Sequence, residues 1–225
     1  MATFTANRKS LRKQSGFSLV EMMCVLAIIS IMASFAWPAI VGIVSGDRLS
    51  NNAYQLSNVV QQARSEAVAR HTYVWVGFYS YKDANGVPAV MVASVCGNSG
   101  LSTDLQNNNF TVETKPTILR NVSLAASTAY TSLPGFDSSV TTTDVALYGY
   151  SFPFTLNVGG KTNVTFTDAV AFGPDGQANL AQASGSLLLE QCVGMGLQQA
   201  PVTSKLHVAA IQVRGLSGDV SVLQQ

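Results

Sequence analysis

The hydrophobic pattern changes its period along the chain. From Met22 to Gly46 there are 25 residues without a charge (MMCVLAIISIMASFAWPAIVGIVSG). About 20 apolar residues are enough for a helix to cross a bilayer. A buried helix of a soluble protein is rarely apolar on every face for this long. The pattern therefore predicts a transmembrane helix over residues 17–46.

Polarity then returns on one face only. Leu49, Ala53, Leu56, Val60, Ala63 and Ala67 recur at alternating intervals of four and three, which is one apolar stripe of an amphipathic helix. Asn51, Asn52, Asn58, Gln61, Gln62 and Arg64 occupy the other positions. Residues 47–70 thus read as an extension of the same helix, and residues 17–69 would span roughly 80 Å at 1.5 Å each. Pro38 removes one backbone bond and is expected to kink the helix. Gly42 and Gly46 weaken it further.

After Arg70 the period becomes two. Thr72–Tyr79 (TYVWVGFY) is rich in β-branched and aromatic residues, as strands are. Turn residues follow at Tyr81–Gly86, and Val87–Val95 reads as the return strand. Residues 96–116 are loop-rich. Further strands are expected at Thr117–Ala125, Val145–Leu156, Asn163–Thr167, Leu187–Val193, His207–Val213 and Val220–Leu223. Gly173-Pro174-Asp175-Gly176 marks a tight turn between strands. The fold class is α+β: a long N-terminal helix, transmembrane and then amphipathic, packed on an antiparallel β-sandwich head of residues 71–225.

Composition narrows this picture. Only 11% of the 225 residues are charged and 47% are hydrophobic, while Ser, Thr, Asn and Gln number 67. A disordered chain needs low hydrophobicity and high net charge. A disulfide scaffold needs more than three cysteines. The net charge of +1 conceals an asymmetry. Arg8, Lys9, Arg12 and Lys13 lie in the first 16 residues, which hold no acid. Removing them takes the charge from +1 to −3. Basic residues before a membrane helix stay cytoplasmic, so the head should lie outside.

Glu21 does not fit an ordinary anchor, because a carboxylate in hydrocarbon is costly. Lys13-Gln14-Ser15-Gly16-Phe17-Ser18-Leu19-Val20-Glu21 resembles the processing site of type IV prepilins. That pattern has a basic leader ending in Gly, then Phe, then Glu five residues into the mature chain, then an apolar helix. The resemblance implies a leader over residues 1–16, cleavage between Gly16 and Phe17 by the prepilin peptidase, and N-methylation of Phe17. It also implies a pilin-like filament in which Glu21 pairs with the Phe17 amine of a neighbour and sets the register. A buried charge is tolerable when it is paired and hydrogen-bonded.

Three segments resemble the GspH/FimT pseudopilin group. They are Val60–Arg70, with its Ala-Arg-Ser-Glu-Ala run, Val170–Ala178 around the Gly173 turn, and Ala210–Val220 in the last hairpin. This resemblance implies a non-enzymatic minor subunit of a type II secretion pseudopilus or type IV pilus. Its partners would be the peptidase, inner-membrane lipid and other pilins. Some FimT-like relatives take up DNA through a basic tail. Here Ser217–Gln225 holds no Arg or Lys, so nucleic acid has little to bind. A third reading is a secreted β-domain released by signal peptidase after Ala36.

Other chemistry finds little footing. Cys24 reads as a packing residue of the helix. Cys96 and Cys192 leave two readings open: a disulfide in an oxidising periplasm, or two thiols in a β core. His71 and His207 have no ligand spacing around them, so no metal site is expected. No nucleophile elbow and no phosphate loop is present, and no cofactor is expected.

Overall fold

The computed structural model describes residues 18–137, 142–144, 154–158, 161–181, 187–200 and 207–224. The chain divides into two compact units, residues 1–43 and 44–225. Helix α1 runs from Leu19 to Arg70. Position 38 lies within it, but the side chains of residues 35–47 are outside the description.

In the second unit the expected stripe is buried: Leu49, Ala53, Leu56, Val60, Ala63 and Ala67 all belong to the largest core cluster. The helix ends in a Schellman motif. Thr72 N–H donates to Ala67 O at 3.1 Å and His71 N–H to Val68 O at 3.4 Å. His71 therefore occupies the left-handed position, with φ 53°.

The strands that follow are β1 (Val74–Lys82), β2 (Pro88–Gly97), β3 (Phe110–Val112), β4 (Thr117–Arg120) and β5 (Val122–Ala125). After a short helix α2 (Ser127–Tyr130) come β6 (Thr142–Asp144), β7 (Phe154–Val158), β8 (Lys161–Phe166), β9 (Asp168–Phe172) and β10 (Ala178–Ala181). The last are β11 (Leu187–Leu189), β12 (Cys192–Gln199), β13 (Val208–Arg214) and β14 (Val220–Gln224). The first sheet has the order β11-β10-β9-β1-β2-β3, with β4 also on β2. The second has the order β14-β13-β12-β5, with β6 also on β12. Pairing is antiparallel except between β6 and β12, which run parallel.

Both sheets share one core with the helix stripe. Val74, Val76 and Phe78 of β1 meet Val193, Met195 and Leu197 of β12 and Ile211 and Val213 of β13 in the same cluster. The opposite face of the first sheet is also covered. Trp75, Met91, Ala93 and Val95 lie under Phe154, Leu156, Val164 and Phe166 of the β7–β8 hairpin. That double burial explains why β2 is a near-continuous apolar run rather than an alternating one. Gly77 makes room for the hairpin: a Cβ there would stand 2.4 Å from Phe154 Cζ.

Two expected strands are each two strands in different sheets. Thr117–Ala125 breaks at Asn121, whose φ is 59°. Asn tolerates that left-handed geometry. β4 then pairs with β2 and β5 with β12. The corner carbonyls are satisfied: Asn52 Nδ2 donates to Arg120 O at 3.0 Å, and Ala200 N–H to Asn121 O at 2.9 Å. Leu187–Val193 breaks likewise, at Glu190 and Gln191, into β11 and β12. β9 and β10 flank the expected turn at Gly173–Gly176 and were not themselves expected; β3 lies within the stretch read as loop. Of Val145–Leu156, residues 145–153 lie outside the described residues.

Candidate assembly surfaces

The N-terminal unit presents an apolar helix with no cover of its own. Leu19, Val20, Met22, Met23, Val25, Leu26, Ile28, Ile29, Ile31 and Met32 are all exposed, by 46–75%. Such a surface marks a site for lipid or for other chains. The two hydroxyls in this stretch are satisfied within the helix. Ser30 Oγ donates to Leu26 O at 2.8 Å and Ser34 Oγ to Ile31 O at 2.6 Å. The segment can therefore enter an apolar medium without an orphaned hydroxyl.

Glu21 is the acid of the first turn of α1. A carboxylate there is favoured by the helix dipole. It is exposed, and among the described residues it makes no ion pair. Gly16 and Phe17 lie outside the described residues, as does the side chain of Pro38. Among the described residues no helix is long and apolar enough to cross a membrane. The described side chains of the apolar stretch run only from Ser18 to Ser34, short of the ~20 residues that hydrocarbon requires.

At the head, the second half of α1 meets two hairpin turns. Gly176 and Gly218 both adopt left-handed φ, 80° and 67°. Each sits where a glycine bulge closes a hairpin. Gly176 N–H donates to Gly173 O at 2.9 Å, and Gly218 N–H to Arg214 O at 2.7 Å. A Cβ on Gly218 would lie 2.2 Å from Gly176 O and 2.6 Å from Arg64 Nε. The two turns are also joined by Ala178 N–H donating to Gly215 O at 2.7 Å. Arg64 reaches Asp219 at 3.7 Å. Val60–Arg70, Val170–Ala178 and Ala210–Val220 therefore converge on one corner. The sequence offered no signal for the Arg64–Asp219 pair, because its members are far apart in the chain.

Arg70, in the last turn of α1, holds Glu113 with two hydrogen bonds, 2.6 and 2.9 Å, and also contacts Glu66. Desolvation pulls its pKa down, but the two carboxylates outweigh it and the net shift is upward. Asp104 is a buried acid that sequence reasoning missed. It accepts from Ser99 N–H at 2.8 Å, from Asn109 Nδ2 at 3.0 Å and from Ser99 Oγ. Burial pushes its pKa up, yet these donors prevail and hold the carboxyl below its ordinary range.

Cys96 and Cys192 are both free and buried in the structure. Cys96 belongs to β2 in the first sheet and Cys192 to β12 in the second. Each thiol turns to a nearby carbonyl, Gly97 O and Val193 O. Burial raises the pKa of both. Among the described residues no group of His, Cys, Asp and Glu could hold a metal ion. His71 serves as the helix C-cap, and His207 O accepts from Gln199 N–H at 3.0 Å.

Residues 11–37 match the family model of the prokaryotic N-terminal methylation motif. The match supports a type IV prepilin-like protein, of the kind that prepilin peptidase processes and that assembles with other pilins. The α+β architecture, an N-terminal helix followed by largely antiparallel sheets, is compatible with a pilin-like fold. No curated protein matches the chain, and no solved structure does.

Proposed function

We propose that the chain is a minor pilin or pseudopilin of the GspH/FimT type, a structural rather than catalytic subunit. It is made with a 16-residue leader, cut after Gly16, N-methylated on Phe17 and held in the inner membrane with its head outside. From there it enters a pseudopilus or type IV pilus by packing its N-terminal helix among those of other subunits. The observation that carries this reading is the methylation motif at residues 11–37 leading into an exposed apolar helix. Glu21 is the one acid in that helix's exposed apolar stretch, residues 19–34. The convergence of the three GspH/FimT-like segments on one corner of the head supports the finer assignment.

The test is mass spectrometry of the mature N-terminus. N-methyl-Phe17 is expected; a chain starting at Trp37 would sink the proposal in favour of a secreted domain. Glu21→Val should leave cleavage intact and impair assembly. Normal incorporation of that variant would remove the register role of Glu21.

A further inference from the structure

Strand edges are places where a second chain can add, and proteins protect them with short strands, charges, proline or bulges. Here the edges of the first sheet are short: β3 and β11 have three residues and β4 has four. On one side of the second sheet, β5 and β6 have four and three. Its other side ends in β14, Val220–Gln224, with five residues and no charge or proline. Among the described residues no strand pairs with its far edge.

The direction of the backbone groups follows from the register. Arg214 N–H donates to Asp219 O at 2.9 Å, and Val213 stands opposite Val220. Hydrogen-bonded and non-bonded pairs alternate along an antiparallel ladder. Ser221 and Leu223 therefore turn their backbone groups toward β13, and Val220 and Val222 turn theirs outward. None of the described hydrogen bonds uses those outward groups. Beside this edge, on the sheet's outer face, lies a cavity of about 500 Å³ lined by Cys192, Leu216, Val220 and Leu223 among others. Leu216 is 72% exposed.

We propose that β14 accepts an extended segment of a neighbouring subunit in the filament, an inference that rests on the pilin reading. Outward N–H and C=O groups at strand spacing are matched in register by another extended backbone. The added residues that lie alongside Val220 and Val222 extend the core face and must be apolar. The intervening ones border the cavity beside Ser221 and Leu223. A second copy pairing through its own β14 would be two-fold and closed, whereas a filament grows by head-to-tail contacts. The donor is therefore a different surface of the neighbour.

Val222→Pro removes one outward N–H and leaves the ladder to β13 intact, as proline on an edge strand can. Val222→Ala keeps the N–H while shortening the side chain. Both full-length variants are expressed in the producing cell, and their incorporation into filaments is measured. Val222→Ala should incorporate within about twofold of the parent and Val222→Pro at least tenfold less. Equal incorporation of the two overturns the proposal. Should Val222→Pro fail to fold, amide hydrogen exchange on the parent protein decides: protection of the Val222 amide in filaments, but not in the detergent-extracted subunit, supports strand addition. No gain in protection overturns it, as does concentration-dependent protection in the purified subunit, which would mean self-pairing. A mature N-terminus other than Phe17 sinks the pilin reading separately, whereas the Val222 result sinks only the strand addition.

Discussion

Gly86 and Gly218 form a natural pair for measuring what holds the helix to the head. Both adopt left-handed φ, 76° and 67°. A Cβ on Gly86 would meet nothing within 4 Å, whereas one on Gly218 would stand 2.2 Å from Gly176 O and 2.8 Å from Arg64 Cδ. Alanine at Gly86 pays only the left-handed conformation, about 1–2 kcal/mol. Alanine at Gly218 pays that and must also push two turns apart. Arg64 can swing aside, but the Gly176 carbonyl is backbone, so an overpacking term of about 1–3 kcal/mol is added. Gly218→Ala should thus lose about 2–5 kcal/mol in all, about 1–3 more than Gly86→Ala. The entropy gained in the unfolded chain is the same for both and cancels. Thermal melting of the full chain in detergent reads the difference, about 2–4 °C per kcal/mol for a unit of this size. Arg64→Ala should rescue Gly218→Ala in part only, since the carbonyl remains. Equal losses at the two glycines would show that the close approach of the turns does not support the corner, and the reasoning would fail.

Three other outcomes are expected. His71→Gly should raise stability by about 1 kcal/mol, because the C-cap position is left-handed and glycine adopts it freely; a fall in melting temperature would contradict the cap. Asp104 has a folded pKa below its unfolded one, so its contribution is present above about pH 4 and is lost as pH falls through the lowered folded value. Asp104→Asn should therefore cost about 1–3 kcal/mol at pH 7 and flatten the acid limb of the stability profile; an unchanged limb would refute the network. Alkylation of the unfolded, unreduced chain should label both Cys96 and Cys192. A mass 2 Da lighter with neither labelled, the two hydrogens lost on disulfide formation, would show a bridge instead.

The second half of the helix was legible because one period governed it. The stripe from Leu49 to Ala67 needs only a buried side, and the structure buries it. The strands were legible as segments but not as sheets. Thr117–Ala125 reads as one β-rich run, and only the φ of Asn121 shows that the chain changes sheets there. Asn in a polar-looking strand is not a distinctive signal. β9 and β10 were missed because DAVAF and ANLA are short and small in side chain; they are strands because β1 lies beside β9. Long-range partners such as Asp219 for Arg64 carry no local pattern at all. The methylation motif is the opposite case: its pattern is local in sequence, and residues 11–37 match it without any long-range partner.

The two units make different demands on their surroundings. The head satisfies its own apolar residues: both faces of the first sheet are covered, and the helix stripe reaches both sheets. The first part of α1 does not. Ten large apolar side chains between Leu19 and Met32 are each half or more exposed, or nearly so. Removing what remains exposed is worth roughly 1 kcal/mol each, on the order of 10 kcal/mol together. That is as large as the whole stability of a typical domain. An exposed apolar surface of this size is one that lipid or other chains cover. A carboxylate is then the one group in the stretch that gains nothing from lipid and much from a cation on a neighbouring chain. In the filament proposed above, that cation is the Phe17 amine of a neighbouring subunit, and its pairing with Glu21 would set the register between the two helices.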